Sequence, residues 1–330
     1  MSCQFAIALA VVFLMSASFG QTSRNGEFSA HVSTKGGAKN KREHNTWTAE
    51  VVDKNGTERY QLTKEASFDV QFPSIYPADN GSCVVVNVFD GLVEFYDHRG
   101  SLIKTFRPFG KPTTEHEQVI KCSVAGDRVA VLFSAPESAN ATLVMMTVAG
   151  EELWRASPKG KKAAEVYLSS NSKFVAAGSY TMAAQLVSVT QTFGEDGKEM
   201  STFSKAFRCA DISNDGLIAF SDRNSITLAS VSAGQPMFTW NTKQKEDIVT
   251  AVKLVSNFVA SSVENVSAES GTPMYHNPAL IILNRKGNVV ATQSLNGSSQ
   301  KPSTLVASER DIILSSSTST TKVSLKSLKE

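Results

Sequence analysis

Phe207-Arg-Cys-Ala-Asp-Ile-Ser213-Asn-Asp-Gly216-Leu-Ile-Ala-Phe-Ser221-Asp-Arg-Asn-Ser-Ile-Thr227 sets apolar runs on either side of an Asn214-Asp-Gly216 turn. Short runs of branched and aromatic residues cut by Gly, Asn and Asp are the punctuation of strands and hairpins. Val166-Tyr-Leu-Ser-Ser-Asn-Ser-Lys-Phe-Val-Ala-Ala-Gly178-Ser179 has the same design. Beyond residue 60 this pattern continues to the end of the chain, and the 3.6-residue period of a helix is hard to find.

The turns themselves recur. One series passes through Asp53-Lys-Asn-Gly56, Asp97-His-Arg-Gly100, Val148-Ala-Gly150, Glu195-Asp-Gly197, Ser232-Ala-Gly234 and Asn284-Arg-Lys-Gly287, with glycines 44, 50, 47, 37 and 53 residues apart. A second passes through Ala78-Asp-Asn-Gly81, Ala125-Gly-Asp127, Ser170-Asn-Ser172, Asn214-Asp-Gly216, Ser256-Asn257 and Ser308-Glu-Arg-Asp311, half a repeat out of phase. Two interleaved series with a period of about 46 residues imply a unit of four antiparallel strands. Gly, Asn and Asp stand at the turns because a two-residue hairpin loop needs positive φ. Such a unit cannot bury both its faces alone, so successive units must stack, and a closed ring leaves only short edges.

Both quoted stretches resemble degenerate blades of the WD-repeat and quinoprotein-like propellers. Gly150-Glu-Glu-Leu-Trp154 is similar to the Gly-to-Trp spacing of quinoprotein repeats, and Leu92-Val-Glu-Phe-Tyr-Asp97-His-Arg-Gly100 resembles the outer hairpin of both groups. The resemblance covers residues 46 to 317 and implies an all-β protein, a β-propeller of four-stranded antiparallel blades. The Gly-His and Trp-Asp dipeptides of strict WD repeats are missing and the Gly-to-Trp spacing occurs once, so no quinone or other cofactor is carried over. Trp154 reads as a packing residue, with Tyr60, Phe106, Phe203, Phe238 or Trp240 near the same place in other repeats. Six turns of each kind, with strands from both termini closing the ring, predict six blades. Glu27 to Ser33 and Thr321 to Leu328 are strand-like pieces that would instead complete terminal blades and make seven.

Ahead of the repeats, Phe5 to Met15 is an uncharged apolar run of eleven residues, followed by Ser16-Ala-Ser-Phe-Gly20. That is too short to span a bilayer and suits a secretory leader cleaved after Ala17, Ser18 or Gly20, although no Lys or Arg precedes it. Residues 1–20 therefore read as a signal peptide, 21–45 as an N-terminal extension or edge strand, and 46–330 as the propeller. Cys3 lies before the apolar run, not at a cleavage point, so the mature chain is expected to be released, periplasmic or extracellular, without a membrane span. Cys83, Cys122 and Cys209 sit far apart in apolar runs and read as buried thiols. With 33 basic against 31 acidic residues there is no charge excess to draw the chain onto nucleic acid.

Candidate chemistry is sparse. Asp211, Ser213, Asp215, Gly216 and Asp222 fall at positions 1, 3, 5, 6 and 12 of a calcium-loop pattern, but on a hairpin and with Asp where a bidentate Glu is usual, so no metal is expected. Glu115-His116-Glu117 places an imidazole between two carboxylates, yet neighbours on a strand point to opposite faces and a solvated loop is the better reading. His31, His44, His98 and His276 are scattered. Lys39-Asn-Lys41-Arg42 and Lys159-Gly-Lys-Lys162 read as solvated loops. Nucleophile-elbow and phosphate-loop motifs are absent. Asn55, Asn80, Asn140, Asn265 and Asn296 begin glycosylation sequons.

With no catalytic set, the function expected is non-catalytic binding or scaffolding of a protein partner or extracytoplasmic ligand. The alternative is a propeller hydrolase or lyase whose polar residues converge from several blades.

Overall fold

The computed structural model describes residues 21–35, 45–66, 73–88, 90–110, 118–135, 138–182, 186–204, 209–269, 272–308 and 310–328. Runs such as Cys83-Val-Val-Val-Asn87 and Arg128-Val-Ala-Val-Leu-Phe-Ser134 are apolar on both faces, and both faces are buried. They are second strands, covered by neighbouring sheets on each side. Fourth strands such as Leu102–Phe106 and Glu152–Ala156 are mostly exposed, as their mixed composition requires.

In chain order the strands are Gln21–Thr22 (β1), Phe28–Lys35 (β2), Asn45–Asp53 (β3) and Glu58–Ala66 (β4); then Ser74–Pro77 (β5), Cys83–Asn87 (β6), Leu92–Tyr96 (β7) and Leu102–Phe106 (β8). Next come Val119–Ala125 (β9), Arg128–Ser134 (β10), Thr142–Thr147 (β11), Glu152–Ala156 (β12), Lys162–Leu168 (β13), Val175–Met182 (β14), Leu186–Phe193 (β15) and Glu199–Phe203 (β16). Ala210–Ile212 (β17), Leu217–Asp222 (β18), Ser225–Ser230 (β19), Pro236–Asn241 (β20), Asp247–Val255 (β21), Phe258–Glu269 (β22), Thr272–Asn284 (β23) and Val289–Ser294 (β24) follow. Ser298–Ser299 (β25), Thr304–Ala307 (β26), Asp311–Ser315 (β27) and Thr320–Ser324 (β28) complete the set. They form seven antiparallel sheets in sequence order: β1–β4, β5–β8, β9–β12, β13–β16, β17–β20, β21–β24 with β25 added on β23, and β26–β28.

Seven sheets correct the expectation of six. β2 pairs β3 from Phe28↔Asp53 to Lys35↔Thr46, and β28 pairs β27 from Asp311↔Ser324 to Ser315↔Thr320, so the strand-like terminal pieces complete sheets of their own. Among the described residues no sheet combines strands from the two ends. The physical reason is local: β2 meets β3 across nine residues of chain, at less loop-closure cost than joining two termini.

The outer turns also depart from the two-residue form. Gly56 donates its backbone N–H to the Asp53 carbonyl and Asp53 N–H to the Thr57 carbonyl, with Gly56 at φ 78°. The loop is longer by design, a turn ended by one left-handed glycine. Asp53 Oδ1 accepts from the backbone N–H groups of Asn55 and Thr57, and Asp97 and Asn284 do the same in their turns.

Past each such turn the fourth strand carries one extra residue. Arg59, Ile103, Leu153, Met200, Met237 and Val290 are those bulged residues. The residue after each of the first five bulges lies on the outer-turn glycine of the following sheet. A Cβ built on Gly100 would stand 2.8 Å from Tyr60, on Gly150 3.0 Å from Lys104, on Gly197 2.8 Å from Trp154, on Gly234 3.4 Å from Ser201 and on Gly287 2.9 Å from Phe238. Phe106 and Phe203 stand two residues farther on and pack edge-on or tilted against Phe133 and Phe220, at ring-centroid distances of 6.0 and 5.3 Å.

The chain divides into two compact units. One runs through residue 186 and takes in the turn 194–198; the other holds 187–193 and the chain from 199 on.

Candidate functional site

In the first unit β1, β5, β9 and β13 are the inner strands of four consecutive sheets, and each packs on the next. They gather polar side chains that are far apart in sequence. Lys121 Nζ stands 3.1 Å from Glu165 Oε1, the two side chains being 15% and 27% exposed. Tyr76 projects from β5 near this pair; burial, then Cys122 and Glu165, push its phenol well above the usual range, while Ser74 and Gln21 act in the opposite sense. Its hydroxyl is therefore protonated at neutral pH. Arg24, on the β1–β2 turn, donates from Nη2 to the Leu168 carbonyl at 2.6 Å, and Leu168 N–H donates to Ser123 Oγ at 3.1 Å. Leu168 is thus held from two other sheets.

Comparable bonds join the sheets of the second unit. Asp211 Oδ2 accepts from Leu254 N–H at 3.0 Å. Glu264, 1% exposed, accepts at Oε1 from Thr250 Oγ1 at 2.6 Å, Ser262 Oγ at 3.2 Å and Ser303 N–H at 2.9 Å. A buried carboxylate held by three neutral donors ties the sixth sheet to the seventh. Ser267 Oγ lies 2.8 Å from His276 Nε2 across the β22–β23 hairpin. This is a nucleophile–base distance, but among the described residues no carboxylate hydrogen-bonds that imidazole.

The calcium-like set does not converge. Asp211 serves Leu254; Asp215 sits in the β17–β18 turn with Ser213, and its carboxylate lies 3.3 Å from Arg285; Asp222 is exposed at the opposite end of β18. Donation from the Ser213 hydroxyl, and then the Arg285 charge, hold Asp215 below the usual carboxylate range. Glu115-His116-Glu117, His44, Lys39-Asn-Lys41-Arg42 and the leader lie outside the described residues. His31 and His98 are exposed. Cys83 on β6, Cys122 on β9 and Cys209 just before β17 are buried and, among the described residues, form no disulfide; Cys209 Sγ lies 3.0 Å from Ser221 Oγ. Of the sequon asparagines, Asn55, Asn80, Asn140 and Asn296 are exposed and Asn265 is half-buried.

Sequence reading missed the inner-strand set because its members come from four sheets. A signal was there: Tyr76, Lys121 and Glu165 stand 45 and 44 residues apart, close to the repeat period, as polar residues at successive inner strands would.

The two ends of the sheets differ in the longest connections they carry. At one, the connections β1–β2, β3–β4 and their counterparts are two to six residues long. At the other, the connections from second to third strand and from each fourth strand onward range from two residues, as between β18 and β19 and between β22 and β23, to twelve between β8 and β9.

No family model matches the chain, and no curated protein matches it. Among solved structures 970 chains do, so the likeness is to a widespread architecture that does not fix a role. One is BamB from Moraxella catarrhalis, at a TM-score of 0.54 and 12% identity, over 92% of this chain and 80% of that one. At that identity the likeness is one of fold, and it supports a β-propeller.

Proposed function

We propose that the chain is an exported, non-catalytic scaffold that binds a protein partner or extracytoplasmic ligand through the long-connection ends of its sheets, after removal of residues 1–20 as a signal peptide. The observation that carries the reading is that the connections between successive strands longer than six residues, such as β2–β3, β4–β5, β8–β9 and β10–β11, all lie at one end of the sheets. Short turns are bonded into neighbouring sheets, as where Asp79 takes hydrogen bonds from Asn25 N–H at 2.9 Å and Gly126 N–H at 3.0 Å. Long connections are free to vary without disturbing the sheets, which is where binding residues concentrate. No helix among the described residues is long and apolar enough to cross a membrane.

The test is in-cell photo-cross-linking from Asn140, at a long-connection end, and from Asn55, in a short turn. A discrete adduct from Asn140 alone supports the reading; adducts from Asn55 alone, or from neither, refute it.

A second reading, a hydrolase or lyase working at the inner strands, has Lys121, Glu165 and Tyr76 in its favour. It requires that Glu165→Gln abolish a turnover detectable in the purified protein without changing its fold.

A further inference from the structure

Six of the seven sheets carry a fourth strand on the outer side of the third; the last does not. Its strands β26, β27 and β28 correspond to the first three of the other sheets, and among the described residues β28 pairs with β27 alone. The third strand of this sheet is therefore an edge, where its counterparts lie between two strands.

The ladder decides which groups that edge presents. Leu325 N–H donates to the Arg310 carbonyl and the Ser319 carbonyl accepts from Ser316 N–H, so the odd-numbered residues of β28 turn their main-chain groups to β27. By the alternation of an antiparallel strand, Thr320, Lys322 and Ser324 turn theirs outward. The Ser324 carbonyl takes the Ser327 hydroxyl at 2.6 Å. Both groups of Thr320, both of Lys322 and the Ser324 N–H have no partner among the described residues. Proteins blunt such edges with proline, bulges or free charges. β28 has no proline, its ladder runs from Asp311↔Ser324 to Ser315↔Thr320 without a shift, and its one charge, Lys322, is drawn to Asp311 at 2.8 Å.

Side chains beside the edge indicate its occupant. Val323 is buried in a cluster against which Val290, Ala291, Leu325 and Leu328 pack half-buried, so one side of an added strand meets apolar groups. The fourth strand β20 answers the same demand, with Phe238 and Trp240 two residues apart and packed on the cluster beneath them. From Thr320 to Leu328 the chain carries Lys322 and Lys326, both exposed, and no acidic residue.

We infer that the outer edge of β28 is completed by an extended segment of a protein partner, added antiparallel as a fourth strand, apolar at alternate positions and acidic between them. In this mode of recognition main-chain bonds supply affinity and alternate side chains supply selectivity. The edge is separate from the long-connection ends, and failure of this docking would leave the cross-linking result untouched.

The experiment uses the full chain and a short synthetic peptide alternating glutamate with valine and phenylalanine, beside a counterpart with lysine for glutamate. In the protein alone, hydrogen exchange read residue by residue should be fast at Thr320, Lys322 and Ser324 and slow at Thr321 and Val323. The glutamate peptide should slow the first three and bind about tenfold tighter than the lysine peptide. Lys322→Pro removes an outward N–H where an edge strand tolerates proline, so it should weaken binding about tenfold with the fold intact. Lys326→Glu changes an exposed side chain, keeps the edge, and should weaken the glutamate peptide about threefold through charge. No binding of either peptide, equal binding of both, or binding unaltered by both variants overturns the inference. So does slow exchange at Thr320, Lys322 and Ser324 without peptide, which marks an edge already filled by this chain or, where protection grows with protein concentration, by a second copy.

Discussion

The indole of Trp154 covers Gly197 so closely that a Cβ there would stand 2.8 Å from the ring, while the indole N–H donates to the Glu195 carbonyl at 2.8 Å. Gly56 occupies the equivalent place in the first sheet, at the same φ of 78°, with nothing within 4 Å of a built Cβ. Alanine at either position incurs the left-handed backbone penalty of about 1–2 kcal/mol. Gly197→Ala should cost about 1–3 kcal/mol more, because the ring must also move. Urea unfolding of the two variants separates the terms, and equal losses would show that the indole yields freely.

Asp97 is held below the ordinary carboxylate range, chiefly by the backbone N–H of Ser101 and then by that of Arg99. A carboxyl whose folded pKa is depressed contributes stability above its unfolded pKa and loses it as pH falls through the folded value. The wild type should therefore lose stability in acid below about pH 4 partly through this turn. Asp97→Asn should keep the turn, since Asn284 accepts from Lys286 and Asn288 in the same manner, yet flatten the acid limb. Thermal melts between about pH 6 and pH 2 check this, the slope of stability against pH being the linked proton uptake. An unchanged acid slope would deny Asp97 its part.

Burial pushes the Cys83 thiol up to about 12 and that of Cys122 up as well. Since the thiolate is the nucleophile, alkylating reagents near neutral pH should spare both cysteines in the folded chain and label them in denaturant. Peptide mass mapping decides, and rapid native labelling of Cys122 would contradict its burial.

Glu264→Ala would leave Thr250, Ser262 and the Ser303 N–H without their shared acceptor. A loss of about 2 kcal/mol or more is expected, since the buried Ser262 hydroxyl and Ser303 N–H would each bear an uncompensated desolvation cost, while Thr250 Oγ1 keeps the Ser262 carbonyl at 3.4 Å. Denaturant titration measures it; a change below about 0.5 kcal/mol, the ordinary range for surface substitutions, would show that water replaces the carboxylate.

Strands and turns were legible because positive φ restricts the residue at a turn; every turn glycine from Gly56 to Gly287 lies where the period placed it. The count of sheets was not. Nothing in Phe28-Ser-Ala-His-Val-Ser33 says whether it pairs with Asn45–Asp53 or stands apart, and that choice depends on loop-closure cost. Anchors were half legible: Trp154, Tyr60 and Phe238 were recognisable as aromatics, whereas Lys104 and Ser201 occupy the same position without looking alike. The contacts of Arg24 with Leu168 and of Glu264 with Ser303 arise only once whole sheets are stacked.

Those unlike anchors bear on how a repetitive chain avoids folding into the wrong order. Successive repeats that presented identical surfaces could exchange neighbours or swap with another molecule, a characteristic failure of repeat proteins. Here Tyr60, Lys104, Trp154, Ser201 and Phe238 differ in bulk and polarity, and each meets a different glycine turn. A misplaced sheet would set a serine where an indole belongs or a lysine where a phenyl ring belongs, leaving a gap or a buried charge. The irregularity that makes the repeats hard to align in sequence is thus also a proofreading code for their assembly.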